Sequence, residues 1–274
     1  MISPAELEFG VRFVETAGVD ILHAQRGGSF EVSTKPDGTS VTTIDTAINE
    51  RLIREVQDRF PSHGVVGEEA SLPSDGGEHW VIDPVDGTRG FIEGEAEYSL
   101  SLAFVRGGVT LLGLVFAPAI NRMYSADRAS RRALMNSQDI EVGQHHSFYE
   151  APYTAISWAA ANPSLDYFRA QTGQFPGHNN RVHMRSVALQ FCRVADGRLG
   201  FAVFPGPSAH DIAAGALIVQ CAGGEATDLR GNLINPIGTD NFGALASNGN
   251  LHQPVLDEID RFCLGGLQKI GRPA

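Results

Sequence analysis

The segment Trp80-Val-Ile-Asp-Pro-Val-Asp-Gly-Thr-Arg-Gly-Phe91 is an apolar run that ends abruptly in two carboxylates, Asp83 and Asp86. Hard cations such as Mg²⁺ take oxygen ligands, and a tight turn that brings two carboxylates together supplies them. Pro84 lies between the two, fixes its own φ and donates no hydrogen bond, which stiffens the turn. The segment therefore predicts a place for divalent metal ions at the end of a strand.

The residues that follow add a place for an anion. Gly87 permits backbone geometry that other residues resist, so amide N–H groups can approach a ligand closely. A helix that begins near Thr88 would direct its N-terminal N–H groups at the same point, where they favour a phosphate. Asp-Gly is also a common turn dipeptide, so the segment alone does not distinguish a metal site from an ordinary loop.

Composition limits the class of protein. The chain has 274 residues, 42% hydrophobic and 19% charged, which is typical of a soluble globular protein with ample core. Its net charge of −11 disfavours a nucleic acid polymer or an anionic membrane as partner. An acidic protein that handles anionic substrates needs metal ions to reverse the local field, although a solvated acidic surface explains most of this charge.

The compartment is predicted from the cysteines and the apolar runs. Cys192, Cys221 and Cys263 are odd in number and lack metal-type spacing, as expected for reduced thiols. The N-terminus lacks the basic and apolar regions of a signal peptide, and no apolar run approaches the ~20 residues of a membrane span. We therefore expect a cytoplasmic protein without a membrane association.

Helical and strand patterns alternate along the chain. Ser3, Pro4 and Glu6 predict the start of a first helix that continues to about Arg26. A polar loop is predicted over 31–43, and Asp45 is predicted to open a second helix over 46–60. The later predicted elements are a strand at 65–66, a loop over 71–78, a hairpin of 98–105 with 111–117, a strand within 155–160, a helix over 187–194, a strand over 199–204, a helix over 212–221 opened by Asp211, a strand over 244–247 and a helix over 254–262.

This alternation predicts an α/β (α+β) protein of layered helices and sheets. We expect one catalytic domain, 1–274, with a metal-binding lobe over 1–128. A second lobe over 129–274 would supply the last metal ligand and the substrate specificity.

Oxygen ligands recur at the ends of separate elements. Besides Asp83 and Asp86, Asp45 and Asp211 stand at predicted helix starts and Glu68 follows a short strand. Each helix-start aspartate has a simpler interpretation as an N-cap, worth about 1 kcal/mol. Glu68 alone has the simpler interpretation of a charged loop.

Taken together, these segments resemble the inositol monophosphatase superfamily of metal-dependent, often lithium-sensitive phosphatases. The segments that carry the resemblance are Lys35-Pro-Asp-Gly-Thr-Ser-Val-Thr-Thr-Ile-Asp45, Gly67-Glu-Glu69, Asp83-Pro-Val-Asp-Gly-Thr-Arg-Gly-Phe91, His210-Asp-Ile-Ala-Ala-Gly215 and Ala222-Gly-Gly224. The resemblance implies a layered αβαβα sandwich of the sugar-phosphatase type, a homodimer, and two or three Mg²⁺ or Mn²⁺ ions per site.

The resemblance also implies a role for each matching residue. Glu68, Asp83 and the carbonyl of Val85 would hold a first metal. Asp83, Asp86 and Asp211 would hold a second, with Asp83 bridging.

The same resemblance implies the catalytic and substrate contacts. Thr88, oriented by Asp45, would position a metal-bound water, and Glu68 would act with them in catalysis. The amides of Gly87 and Thr88 would bind phosphate oxygens. Asp86, Arg89 and Asp211 complete the predicted substrate contacts.

Substrate choice is predicted less sharply. Inositol-directed members carry an acidic residue at the position of Phe204, and Trp-Asp where this chain has His210-Asp211. Arg89 after the Asp-Gly-Thr motif is more typical of the 3′(2′),5′-bisphosphate nucleotidase and histidinol-phosphatase branches. Its guanidinium favours phosphate or carboxylate, but an ordinary surface arginine is an equal alternative.

Several functions consequently stay open. A bisphosphate nucleotidase leads slightly over phosphatases of inositol 1-phosphate, histidinol phosphate or fructose 1,6-bisphosphate. A catalytically silent binding protein on the same scaffold is the alternative outside the enzymes, because the motifs of the second lobe are eroded.

Overall fold

A computed structural model of the chain describes residues 1–147, 150–155, 185–204, 206–238 and 241–260. Its elements are, in chain order, α1 (Pro4–Gly27), β1 (Val32–Thr34), β2 (Ser40–Thr42), α2 (Thr43–Arg59), β3 (Gly64–Gly67), β4 (Glu78–Asp86), α3 (Thr88–Ile92), β5 (Ser99–Arg106), β6 (Val109–Ala117), a 3₁₀ turn (Pro118–Ile120), β7 (Arg122–Asp127), β8 (Arg132–Met135), β9 (Gln138–Asp139), β10 (Tyr153–Ala155), α4 (Val187–Ala195), β11 (Phe201–Phe204), α5 (Ala209–Cys221), β12 (Glu225–Thr227), β13 (Ala244–Ser247) and α6 (His252–Ile259).

Two sheets organise these elements. Strands β3 to β9 form a seven-stranded sheet in sequence order, in which β3 and β4 are parallel and every later pair is antiparallel. A four-stranded sheet has the order β10-β11-β13-β12, with β10 parallel to β11. The short hairpin β1-β2 stands apart from both.

The helices and sheets stack in five layers, α1 and α2, the large sheet, α4 and α5, the small sheet, and α6. The period-2 alternation of β5 shows why both faces of the large sheet are covered. Leu102 and Phe104 pack with α1 and α2, whereas Ala103 and Val105 belong to the core shared with α4 and α5. The predicted αβαβα sandwich is thereby confirmed.

The predicted start of α1 is confirmed as well. Ser3 is the N-cap, Pro4 is the first helical residue, and Glu6 closes a capping box in which the backbone N–H of Ser3 donates to its carboxylate. The helix ends at Gly27, close to the predicted Arg26.

The prediction of a loop over 31–43 was wrong, because Val32–Thr34 and Ser40–Thr42 pair as an antiparallel hairpin. The side chains of β1 are exposed. A strand that buries no face has no apolar alternation, so the pattern that reveals other strands is missing here.

The predicted helix starts at Asp45 and Asp211 were wrong by one turn. The N-caps are Thr42 and Ser208, and each aspartate is the third helical residue of its helix. A hydroxyl residue followed three positions later by an acid is a capping box, and it accounts for both starts.

Parts of the second half fall outside the described residues. The strand predicted within 155–160 and the end of the helix predicted over 254–262 lie mainly there, and α6 is described from His252 to Ile259. The large sheet continues through β9, past the predicted lobe boundary at residue 128, and the division into lobes stays a prediction. In the ranges that the structure describes, every helix is too short or too polar to cross a membrane.

Close packing of α5 on the large sheet gives the first testable prediction. A Cβ on Gly113 of β6 would lie 2.6 Å from the backbone oxygen of Ala214. Backbone on both sides leaves little room to relax, so Gly113→Ala is expected to lower the free energy of unfolding by about 1–3 kcal/mol. Chemical denaturation measures this value.

The control is Gly27→Ala at the end of α1, where the added Cβ meets only the hydroxyl of Ser29 at 3.1 Å. Its effect should stay within about 0.5 kcal/mol. Equal effects of the two substitutions would contradict the close approach of α5 to β6.

Candidate metal centre

The first two acidic side chains stand where β4 leaves the sheet. The pairing of β4 with β5 shifts register between Asp83 and Asp86, and this irregularity accommodates Pro84, which cannot donate to the ladder. Gly87 then turns the chain into α3 with φ of +89°, a conformation that favours glycine. The two carboxylates are only 3% and 4% exposed.

The N-terminus of α4 holds Asp86. Its Oδ2 accepts a hydrogen bond from the hydroxyl of Ser186 at 2.6 Å and from the amide of Ala188 at 2.6 Å, while Oδ1 accepts from the amide of Val187 at 3.1 Å. The free N–H groups and the dipole of the first helical turn stabilise a carboxylate in this position.

Asp45 and Asp211 reach the same region from the first turns of α2 and α5. In each case Oδ2 accepts a hydrogen bond from the N-cap amide, Thr42 for Asp45 at 2.9 Å and Ser208 for Asp211 at 2.6 Å. Oδ1 of Asp45 is buried and has no hydrogen-bond partner among the described residues. The capping interaction thus uses Oδ2 of each aspartate.

Glu68 follows β3 and is paired with a lysine. Nζ of Lys35 lies 2.7 Å from Oε1 of Glu68 and 2.8 Å from Oε1 of Glu69. Burial works against the ammonium charge, but the hydrogen bonds and charges of the two glutamates raise the pKa of Lys35 above its ordinary value. Lys35 is therefore a fixed cation beside the acidic cluster.

The acidic side chains converge into two overlapping sets. Ligand atoms of Asp83, Asp86 and Asp211 lie within 4.8 Å of one another, and so do ligand atoms of Glu68, Asp83 and His210. Asp83 belongs to both sets. Carboxylate oxygens at this spacing are donors that suit a hard divalent cation, so the residues fit the metal ions that the sequence predicts.

The pKa values of the clustered carboxyls also favour the binding of cations. Burial, together with the charges of Glu68, Asp86 and Asp211, raises the pKa of Asp83 well above its ordinary value. Burial raises the pKa of Asp211 and, with the charge of Asp211, that of Asp86. Burial also raises the pKa of Asp45 to about 7. Neighbouring cations would relieve this repulsion and restore the ionised forms.

Thr88 and Val85 are hydrogen-bonded to each other. The hydroxyl of Thr88 donates to the carbonyl of Val85 at 2.9 Å, whereas the predicted orientation of Thr88 uses Asp45. The amide of Val85 donates to Oδ1 of Asp83 at 3.0 Å. A carbonyl oxygen has two lone pairs, so that of Val85 can accept Thr88 and still face a cation.

Arg89 points toward solvent. Its side chain is 76% exposed, and Nε lies 3.0 Å from Oε1 of Glu93 on the same helix. Arg185 also contacts Glu93, through Nη2 and Oε2 at 2.6 Å. In this structure Arg89 has the features of the surface arginine that the sequence left as an alternative.

Sequence reasoning missed several residues of the site. Lys35 belongs to a segment that carries the resemblance but has no predicted role there, and Ser186 is not among the predicted site residues. The pairing of Lys35 with Glu68 joins two loops distant in the chain, and no local pattern indicates it. His210 lies close to Glu68, and burial lowers the pKa of its imidazole.

Known proteins resemble this chain in sequence and in fold. The profile of the inositol monophosphatase family matches residues 7–261. A fructose-1,6-bisphosphatase/inositol-1-monophosphatase of Thermotoga maritima is 31% identical over 256 residues, 93% of this chain and 95% of the relative. A histidinol-phosphatase of Mycobacterium tuberculosis is 32% identical, covering 88% of this chain and 93% of its own.

The solved structures agree. The Thermotoga maritima IMPase superposes with a TM-score of 0.82 at 29% identity, over 97% of this chain and 99% of that one. The family profile, the relatives and the shared fold all extend across the segments that build the acidic cluster. The chain belongs to the inositol monophosphatase family.

Proposed function

We propose that the protein is a divalent-metal-dependent phosphomonoesterase that hydrolyses a small phosphorylated metabolite. The observation that carries the proposal is the pair of ligand sets that share the buried carboxylate of Asp83. Family membership supports it, because the curated relatives described above are named as phosphatases.

The proposed ligands are those that the resemblance implies, and Asp83 is again the shared residue. Glu68, Asp83 and the carbonyl of Val85 would hold one ion. Asp83, Asp86 and Asp211 would hold the other. Both sets bring oxygen donors, and the hydrogen bonds of α4 keep Asp86 in place.

Metal ions bound there would lower the pKa of an attacking water and neutralise the charge on the leaving oxygen. The protein's own groups would orient the reactants. Because the hydroxyl of Thr88 donates a hydrogen bond to the carbonyl of Val85, its oxygen retains lone pairs that can accept a hydrogen bond from water. Asp45 and Glu68 would orient that water further, and the amides of Gly87 and Thr88 would bind phosphate oxygens.

The proposal extends to Mg²⁺ or Mn²⁺ as the bound ions and to a homodimer, both supported by family resemblance. It also includes a cytoplasmic location. Cys192 and Cys221 are free thiols in the structure, as is usual in a reducing compartment.

The substrate is proposed only as a class. The preference for a nucleotide bisphosphate depends on Arg89, whose guanidinium would have to leave Glu93 to bind a second anionic group. The names of the relatives include fructose bisphosphate, inositol phosphate and histidinol phosphate. Comparing kcat/KM on these three and on 3′-phosphoadenosine 5′-phosphate identifies the preferred substrate.

A second prediction concerns turnover. Phosphate release from at least one of those four compounds is expected to require Mg²⁺ or Mn²⁺. Asp83→Asn should reduce kcat/KM about a thousandfold or more, since Asp83 is shared by both ligand sets.

The matched control is Asp58→Asn on the exposed face of α2, which should leave kcat/KM unchanged. Metal-independent turnover would contradict the proposal. Metal binding without turnover of any of the four compounds would favour the catalytically silent binding protein.

A third prediction concerns pH. A carboxyl whose pKa is raised by folding adds stability that is complete below its unfolded pKa and is lost as pH rises through its folded pKa. For Asp45 this interval runs from its ordinary value of 3.8 to about 7. As pH rises through this interval, Asp45 should therefore lower the stability of the metal-free protein. Asp83 and Asp211 should act in the same direction.

Metal binding requires deprotonated ligands and stabilises only the folded state. The increase in Tm caused by saturating Mg²⁺ is thus expected to grow between about pH 5 and about pH 8. Calorimetry with and without Mg²⁺ measures it, with Asp83→Asn as the variant that should show little increase at any pH. An increase that is constant or shrinks with pH would count against the cluster as a metal centre.

A further inference from the structure

His210 is an imidazole placed among the acidic side chains of the metal centre. It is the second residue of α5, directly before Asp211, and its backbone carbonyl accepts a hydrogen bond from the hydroxyl of Ser101 on β5 at 3.2 Å. Its side chain is 17% exposed. The first turn of the helix and the hydrogen bond to β5 therefore hold the backbone of His210 in place.

The ring lies within reach of two carboxylates from other elements. One ring nitrogen of His210, a carboxylate oxygen of Glu68 and a carboxylate oxygen of Asp83 lie within 4.8 Å of one another. Nε2 is 3.8 Å from Oδ1 of Asp211, beyond hydrogen-bonding distance. Among the described residues, the ring nitrogens of His210 have no hydrogen-bond partner.

The surroundings of His210 are those of a metal ligand rather than those of a histidine whose ring is held by hydrogen bonds. His252 illustrates the structural kind, because its two ring nitrogens lie 2.9 Å from the hydroxyls of Thr227 and Ser247. His210 has no such partners in the part of the chain that the structure describes, and its ring instead lies close to two carboxylates. A nitrogen and two oxygens from three separate elements can enclose one ion.

We propose that His210 is a metal ligand, and that the position formed by Glu68, Asp83 and His210 selects a first-row transition ion such as Mn²⁺ over Mg²⁺. The inference rests on the proposed function, because it concerns the same metal centre. Imidazole nitrogen binds transition ions much better than it binds Mg²⁺, which prefers oxygen and keeps its waters. The neighbouring position, formed by Asp83, Asp86 and Asp211, offers carboxylate oxygens and suits Mg²⁺.

Lys35 competes with a metal ion for the carboxylate of Glu68. Its ammonium is 2.7 Å from the Glu68 oxygen that an ion would need. Glu69, 2.8 Å away, can retain the ammonium when an ion takes Glu68. We therefore expect the ammonium of Lys35 to leave Glu68 and to stay paired with Glu69 when an ion binds.

Pulsed electron paramagnetic resonance on the Mn²⁺-loaded full chain tests the inference directly, because a ligating imidazole gives a ¹⁴N hyperfine coupling. Wild type should show that coupling and His210→Gln should lack it. The preference for Mn²⁺ over Mg²⁺, measured by competitive titration, should fall about tenfold or more in His210→Gln. The matched control is His23→Gln on the exposed face of α1, which should change neither result.

The absence of a ¹⁴N coupling in wild type overturns the inference without any variant, so a folding defect of His210→Gln cannot mask failure. A coupling that persists in His210→Gln and His210→Asn also overturns it. Turnover with metal but without the coupling would leave the phosphatase proposal standing and reject His210 as a ligand. The coupling without turnover would support His210 as a ligand and reject the phosphatase proposal.

Discussion

The crowding of carboxylates around Asp83 is the constraint on which the rest of the site depends. Asp83 is buried at the end of a central strand, with Glu68, Asp86 and Asp211 close enough to raise its pKa. Burying several like charges in one place is costly unless the groups take up protons or gain cations. The fold supplies one fixed cation, Lys35, on the Glu68 side. Divalent ions bound in this cluster would therefore offset the remaining repulsion between its carboxylates.

The layered fold explains how so many acids reach one point. Three helices, α2, α4 and α5, direct their N-terminal turns at the end of β4, and each turn holds an aspartate through backbone amides. The positive ends of the helix dipoles offset part of the repulsion between the carboxylates. Because each capping contact leaves oxygen lone pairs unused, the same side chain can start or support a helix and still face an ion. Helix stability and the metal centre are therefore built from the same residues.

The sequence predicted those parts of the molecule that local patterns encode. The apolar strand before Asp83, the glycine turn at Gly87, the helix that carries Asp211 and the layered fold all follow from short-range patterns, and the structure contains them. The hairpin β1-β2 was missed because its exposed strand β1 lacks apolar alternation. The contacts of Lys35 with Glu68 and of Ser186 with Asp86 join residues far apart in the chain, so only the tertiary fold brings them together.

The same distinction applies to His210, because its position in the chain does not show which side chains of other elements its ring meets. The structure places the ring beside Glu68 and Asp83. The central claim is that the carboxylates around Asp83 form a centre for more than one cation. Anomalous X-ray diffraction from Mn²⁺-soaked crystals tests it most directly. The account predicts two peaks that share the carboxylate of Asp83; a single peak remote from Asp83, or none in the cluster, would contradict it.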